Sequence, residues 1–200
     1  MGFRLALLAY ADDLSRLDLR EPTDDPDAAD ALVARFFPRT PYVHVGQVNL
    51  VDGGFPERGT LNVATLAGGT VVATRDAHLY NPTKLHSRYL RASAGPTLVL
   101  LTQRSVNDMF AYARWEDGDL VRSISVNPVG GVWEDIGPAE PFEQAFWRGD
   151  HPGHPSLPFH PLELSDAALR SVLGLAVEGP GGNFAQPEDV QLRAYARRSS

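Results

Sequence analysis

"MFAYARWEDGDLVRSISV", residues 109–126, decides how the rest of this chain is read. Two runs rich in aromatic and β-branched residues flank Asp117-Gly118, a dipeptide favoured in two-residue hairpin loops because both positions accept positive φ. An uninterrupted register from that loop sets Trp115 opposite Leu120, Ala113 opposite Arg122, Ala111 opposite Ile124 and Met109 opposite Val126. That face is mostly apolar and reads as core. The other face pairs Arg114 with Val121, Tyr112 with Ser123 and Phe110 with Ser125, and reads as an aromatic and polar surface.

Working outward, "TLNVATLAGGTVVATRDA" (60–77) is a second hairpin, with Gly68-Gly69 as its turn. Phe3 to Ala11 is nearly all apolar, as in a strand buried on both faces, and "TLVLLT" (97–102) is another. Val43 to Val51 reads as a strand, and Val190 to Ala194 as a short one. Asp24 or Asp25 caps a helix with Pro26 at its first position and Ala28, Leu32 and Phe36 on one face. Asn81-Pro82 opens a second helix, with Leu85, Tyr89 and Ala92 in line, which Gly95-Pro96 ends. Ser165 caps a third, running through Leu169, Val172, Leu173 and Ala176 to Gly179-Pro180. Beyond Asn127 the chain reads as loop up to that helix, including a proline-rich strap, "RGDHPGHPSLPFHPLEL" (148–164). The expected fold is α+β: a mixed or mainly antiparallel sheet with two tight hairpins, three helices and the strap. Residues 1–200 form one domain with a flexible end at about 196–200.

Composition narrows function. The formal net charge is -7, and no basic cluster offsets it, so a nucleic-acid partner is not expected. The absence of cysteine excludes disulfides, thiolate metal sites and a cysteine nucleophile, and fits a cytoplasmic protein. The run from Leu5 is short for a signal peptide, and no stretch approaches the ~20 apolar residues of a membrane helix. No membrane partner and no cofactor are expected.

"SVNDMFAYARWEDGDLVRSISVNPVGGVWEDIG", "PFEQAFWRGDHP", "LPFHPLELSDAALRSVLG" and the "ALVARFFP" helix together resemble a family of uncharacterised actinobacterial proteins, a domain of unknown function. The resemblance implies a bacterial, soluble, single-domain protein and brings no activity with it. More loosely, the "W-x-x-G-x-L-x-R" hairpin is similar to elements of bacterial immunity-type proteins.

Chemistry is weighed residue by residue. His151, His154 and His160 in the strap, with Asp150, supply the ligand types of a zinc or nickel site. Each is followed by proline, which favours extended backbone, so a docked strap pegged by Leu157, Phe159 and Leu162 is the preferred reading and no metal is expected. Asp12-Asp13 after the first strand reads as a turn cap or a magnesium pair. Arg122 on the apolar face needs a carboxylate partner, with Glu134, Asp135 and Glu143 as candidates and Glu134 preferred. His44, His78 and His86 stand isolated. No nucleophile elbow, phosphate loop or dinucleotide fingerprint is present, and no catalytic residue is assigned. The leading expectation is a non-enzymatic, immunity-like or protein-interaction module using Phe110, Tyr112, Arg114, Trp133 and Trp147, with another protein as partner. The alternative is a small hydrolase or ligand-binding enzyme using Asp and His residues in a cleft.

Overall fold

A computed structural model describes residues 3–92, 95–154, 156–179 and 182–198. Its strands, in chain order, are β1 (Arg4–Ala11), β2 (Tyr42–Asn49), β3 (Thr60–Leu66), β4 (Gly69–Ala73), β5 (Thr97–Arg104), β6 (Met109–Glu116), β7 (Asp119–Asn127), β8 (Gly131–Ile136) and β9 (Gln191–Arg197). They form one open antiparallel sheet in the order β2-β9-β3-β4-β1-β5-β6-β7-β8. The helices are α1 (Pro26–Phe36), α2 (Leu50–Gly53), α3 (Ser87–Arg91), α4 (Gln144–Trp147) and α5 (Pro161–Leu173). None is long and apolar enough to cross a membrane.

The apolar run at the N-terminus becomes the middle strand because both faces of the sheet are covered. Ala6, Leu8 and Tyr10 of β1 enter a core shared with Leu32, Val33 and Phe36 of α1. Leu5, Leu7, Ala9 and Ala11 enter the opposite core, with Leu164, Ala168, Leu169 and Val172 of α5. Asp25 caps α1 by accepting from the Ala28 N–H, with Pro26 at the first helical position. Its buried stripe is Ala29, Leu32, Val33 and Phe36, so Ala28 faces water.

Several expectations need correcting. The hairpin over 60–77 turns at Ala67 and Gly68, and Gly69 already belongs to β4. Here Gly68 is required by crowding: a Cβ on it would lie 2.2 Å from the Arg16 carbonyl oxygen. The helix expected over 82–92 is broken into a 3-10 turn, Pro82–Lys84, and α3, because Leu85 is extended at ψ 130°. α5 starts at Pro161 with His160 as its cap, not at Ser165; proline holds His160 extended and supplies a helical φ itself. Ser165 lies inside the helix and donates to the Gln103 side chain at 3.0 Å. The stretch after Asn127 contains β8 and α4 in place of a continuous loop. The expected loose end begins inside β9, which runs to Arg197, while residues 199 and 200 lie outside the described residues. So do Pro155 of the strap and Pro180-Gly181.

The most consequential correction is in the β6–β7 ribbon. Asp117 and Gly118 form the turn, both with positive φ (49° and 89°), and Trp115 pairs with Leu120. Val121 is then bulged out, so Arg114 pairs with Arg122, Tyr112 with Ile124 and Phe110 with Val126. One extra residue turns β7 over relative to the even register. Both faces of β6 are covered: Met109, Ala111, Ala113 and Trp115 enter the α1 core. Phe110 and Tyr112, 0% and 1% exposed, enter the core of Phe146, Phe159 and α5, where the bulge brings Ile124 and Val126 beside them. Gly137 accommodates the bulge: a Cβ there would stand 2.0 Å from the Val121 carbonyl oxygen.

The bulge also carries Arg122 to the α5 face, where it is 1% exposed. Its Nε donates to Glu143 at 2.8 Å, and Nη2 donates to the second oxygen of the same carboxylate. Nη1 donates to Asp135 at 2.6 Å and to the carbonyls of Ile136 and Gly137. Glu143, 0% exposed, also accepts from the Glu140 N–H and from Trp147 Nε1. Burial works against the Arg122 charge, but the bonds to Glu143 and Asp135 outweigh it and hold its pKa above the usual guanidinium value. Glu134 does not meet Arg122; it lies on the other face and accepts from Ser123 Oγ at 2.7 Å and from Thr83.

Arg122→Met strands the buried Glu143 carboxylate and is expected to cost about 3–5 kcal/mol in urea unfolding. Arg122→Met combined with Glu143→Leu should cost clearly less than the sum of the single changes. Additive losses would show that the pair is not coupled.

Candidate functional site

The residues nominated on the sequence do not assemble into one surface. Phe110 and Tyr112 are buried for the reason just given, and Arg114 is held by Glu140 at 2.6 Å and by Glu116. Trp147 packs edge-on against Phe159 at 5.0 Å and donates to Glu143. Trp133 alone of the five is exposed, lying against Tyr80 at 4.2 Å. Of the strap histidines, His154 and His160 meet edge-to-face at 6.1 Å, and His151 stands apart from them. His151 stacks flat on Phe146 at 3.8 Å, His160 caps α5, and Ser156 beside His154 donates to the Pro128 carbonyl. Among the described residues no group of three or more His, Cys, Asp or Glu is arranged to hold a metal. Asp13 caps a short turn by accepting from the Ser15 N–H and Oγ.

The cleft that most resembles an Asp/His site, about 610 Å³, lies between α1 and β2 and includes Asp30, His44 and Tyr195. There the Tyr195 hydroxyl donates to Asp30 at 2.6 Å, while the His44 ring stands 5.8 Å from the Tyr195 ring. Burial and Asp30 push the Tyr195 phenol up to about 12, so it is a poor base near neutrality.

A different cluster forms at the end of the sheet where β1 begins. Antiparallel pairing sets Arg4, the first residue of β1, directly opposite Arg104, the last of β5. On the other side of β1, β4 ends at Ala73, and the next turn carries Arg75 and then His78. That turn is tied to the central strand, because the Thr74 N–H donates to the Ala6 carbonyl at 2.9 Å. The Ala6 N–H donates in turn to the Gly54 carbonyl at 2.9 Å, bringing the segment after α2 over β1. A Cβ at Gly54 would lie 2.4 Å from Leu5 Cδ2, so glycine permits this close approach and seats Phe55 beside the arginines. Arg58 completes the lining of a cavity of about 260 Å³ formed with Arg4, Phe55, Arg75, His78 and Arg104.

Two guanidiniums lie over the Phe55 ring, Arg4 at 4.9 Å and Arg75 at 4.7 Å from its centre, and the His78 ring meets it edge-on at 5.2 Å. Cation–π attraction therefore holds part of this charge in place. No carboxylate does. Among the described residues Arg4, Arg58, Arg75 and Arg104 make no ion pair. The Nε atoms of Arg75 and Arg104 and Nδ1 of His78 are buried without a hydrogen-bond partner. Buried polar nitrogens without partners are costly in a folded protein, and these three belong to side chains that line one cavity. His78 responds to the same surroundings: burial, then Arg104, Arg75 and Arg4, hold its pKa below the usual imidazole value.

None of these residues was singled out on the sequence, where His78 reads as isolated and no basic cluster is visible. The structure corrects the second point: the cluster exists, but only in space. The available signal was an arginine at one end of three buried strands, Arg4 opening β1, Arg75 after β4 and Arg104 closing β5. It becomes legible once β4, β1 and β5 are known to be antiparallel neighbours.

A model of a family of unknown function (DUF6928) matches residues 5–195, which include every residue of the cavity except Arg4. Comparison with curated proteins and with solved structures finds no match.

A histidine whose folded pKa lies below its unfolded value of about 6.5 binds its proton more readily once unfolded. Its contribution to stability is complete above about pH 6.5 and is lost as pH falls below that value. Denaturation midpoints measured from pH 8 to 5 in anion-poor buffer should drop at the acid end, and His78→Gln should flatten that drop. An equal drop in the variant would count against the burial and charge argument.

Proposed function

Because the chain belongs to the family of unknown function DUF6928, whose description carries no activity, function has to be argued from the site. We propose that the protein is a non-enzymatic binding module and that its ligand is a small anion, or the anionic head of a small molecule, held by Arg4, Arg58, Arg75 and Arg104. The observation that carries this reading is that four guanidiniums meet with no carboxylate among them, in a chain whose formal net charge is -7. Acidic side chains outnumber basic ones, 25 to 18 before histidine, yet among the described residues none pairs with these four, whose mutual repulsion a bound anion would relieve.

The size of the site supports a head group more than a large ligand. About 260 Å³ falls just under the roughly 300–1,000 Å³ typical of sites that enclose drug-sized molecules. A formal net charge of -7 also disfavours long polyanions, whose affinity comes from many spread cationic contacts. The reading keeps the expectation of a non-enzymatic module and moves its binding site from the hairpin to the sheet end. A hydrolase has less support: the Asp30–Tyr195 contact leaves no activated nucleophile, and the cavity arginines bind charge without supplying a base.

A binding role and a structural role predict opposite effects on stability. Arg104→Met keeps the aliphatic stem but removes one of two directly opposed cations. In anion-free buffer it should raise Tm, by up to about 4 °C, by relieving repulsion. The same variant should lose most of the stabilisation that millimolar sulfate gives the parent protein, which is about 2.7 kcal/mol at a hundredfold excess over Kd. A lowered Tm with an unchanged response to sulfate would contradict the proposal.

A further inference from the structure

The donors at the sheet end specify more than negative charge. We infer that the cavity selects a dianionic tetrahedral head group, that of a phosphate monoester, and that His78 takes up a proton when it binds; this rests on the anion-binding reading above. The orphaned nitrogens belong to three side chains on two separate elements: Arg104 on β5, and Arg75 and His78 on the turn after β4. A planar carboxylate has two oxygens and one charge. A phosphate monoester ends in three oxygens that leave one centre in three directions and carry close to two charges at neutral pH. Four guanidiniums and one imidazole, three of these five groups with an unpaired nitrogen, match the second better on both counts.

The proton follows from the neighbours of His78. The titratable and charged groups around it are Arg4 of β1, Arg104 of β5, Arg75 of its own turn, Arg58 of the segment before β3 and Tyr80, whose ring is 6.0 Å away. Among the described residues no carboxylate pairs with it. With that surrounding charge uniformly positive, and the ring partly buried against Phe55, the imidazole is held neutral near pH 7. A bound dianion reverses the local charge, which favours the protonated ring and turns His78 into a further cationic donor. The sign is fixed: filling the site raises the pKa of His78, so binding consumes a proton between the two values. Across that window affinity falls as pH rises, by up to about tenfold per pH unit. Below about pH 6 the phosphate itself loses charge, so affinity passes through a maximum.

The test uses the full chain and three probes that differ only in head group: phenyl phosphate, phenyl sulfate and benzoate. Isothermal titration at pH 7.5, in two buffers of different ionisation enthalpy, reads affinity and proton uptake together. Phenyl phosphate should bind at least about tenfold more tightly than either monoanion. Its apparent enthalpy should depend on the buffer with the sign of proton uptake, and His78→Gln should abolish that dependence. Should His78→Gln fail to fold, the ¹H–¹⁵N imidazole signals of the unaltered protein serve instead: saturating phenyl phosphate should move the His78 titration to higher pH. Equal affinity for all three probes overturns the selectivity and leaves anion binding standing. Tight phosphate binding without proton uptake, or with an unmoved His78 titration, overturns the proton step alone. No binding of any probe overturns this inference together with the reading beneath it.

Discussion

The sheet places two pairs of arginines directly opposite one another, and their different treatment organises the molecule. Arg114 faces Arg122 across β6 and β7, and Arg4 faces Arg104 across β1 and β5. Like charges in directly opposed positions repel, and burial makes the repulsion worse. The first pair is answered from within the chain: Glu140 and Glu116 take Arg114, while Glu143 and Asp135 take Arg122. The loop-rich segment after β8 is thereby fastened to the sheet, and α4 and the strap dock behind it. The second pair is joined by Arg58 and Arg75 and, among the described residues, meets no carboxylate; Arg4 and Arg75 lie over the Phe55 ring. On the proposed reading the first pair is neutralised from within the chain and the second is left for an anion from outside it.

Both sites depend on the middle of the sheet. β1 is buried on both faces and pairs antiparallel with β4 and β5, so it fixes where those strands start and stop. The end of β5 and the turn after β4 then fall on either side of Arg4. Backbone hydrogen bonds from Thr74 to Ala6 and from Ala6 to Gly54 carry Arg75, His78 and Phe55 into place. The donors of the cavity thus stand on strand ends and turns anchored to the most buried strand, which preorganises them for a ligand.

The main elements were legible from pattern: the apolar run of β1, the Asp25-Pro26 start of α1, and the Asp117-Gly118 turn with its Trp115–Leu120 pair. The bulge was not. Val121 is an ordinary strand residue, and what makes room for it is Gly137, sixteen positions on, which local sequence cannot connect to it. From that one unseen residue followed the wrong cross-strand partners for Tyr112 and Phe110 and the wrong carboxylate, Glu134, for Arg122. Both aromatics are buried because α5 covers a face that the sequence leaves open to water. β8 was hidden because its exposed edge carries few apolar residues facing a core. The arginine cavity was hidden because its members are spread from position 4 to position 104 and meet only through strand order, which hydrophobic pattern does not reveal.

The central claim is that an oxyanion belongs between the arginines at the sheet end. It is tested most directly by anomalous diffraction from crystals grown with selenate, an isostere of sulfate whose selenium marks its own position. The account predicts a strong selenium peak within hydrogen-bonding reach of Arg75, Arg104 and His78. A cavity without a selenium peak while selenate orders elsewhere, or one closed by a carboxylate of the chain itself, would contradict it.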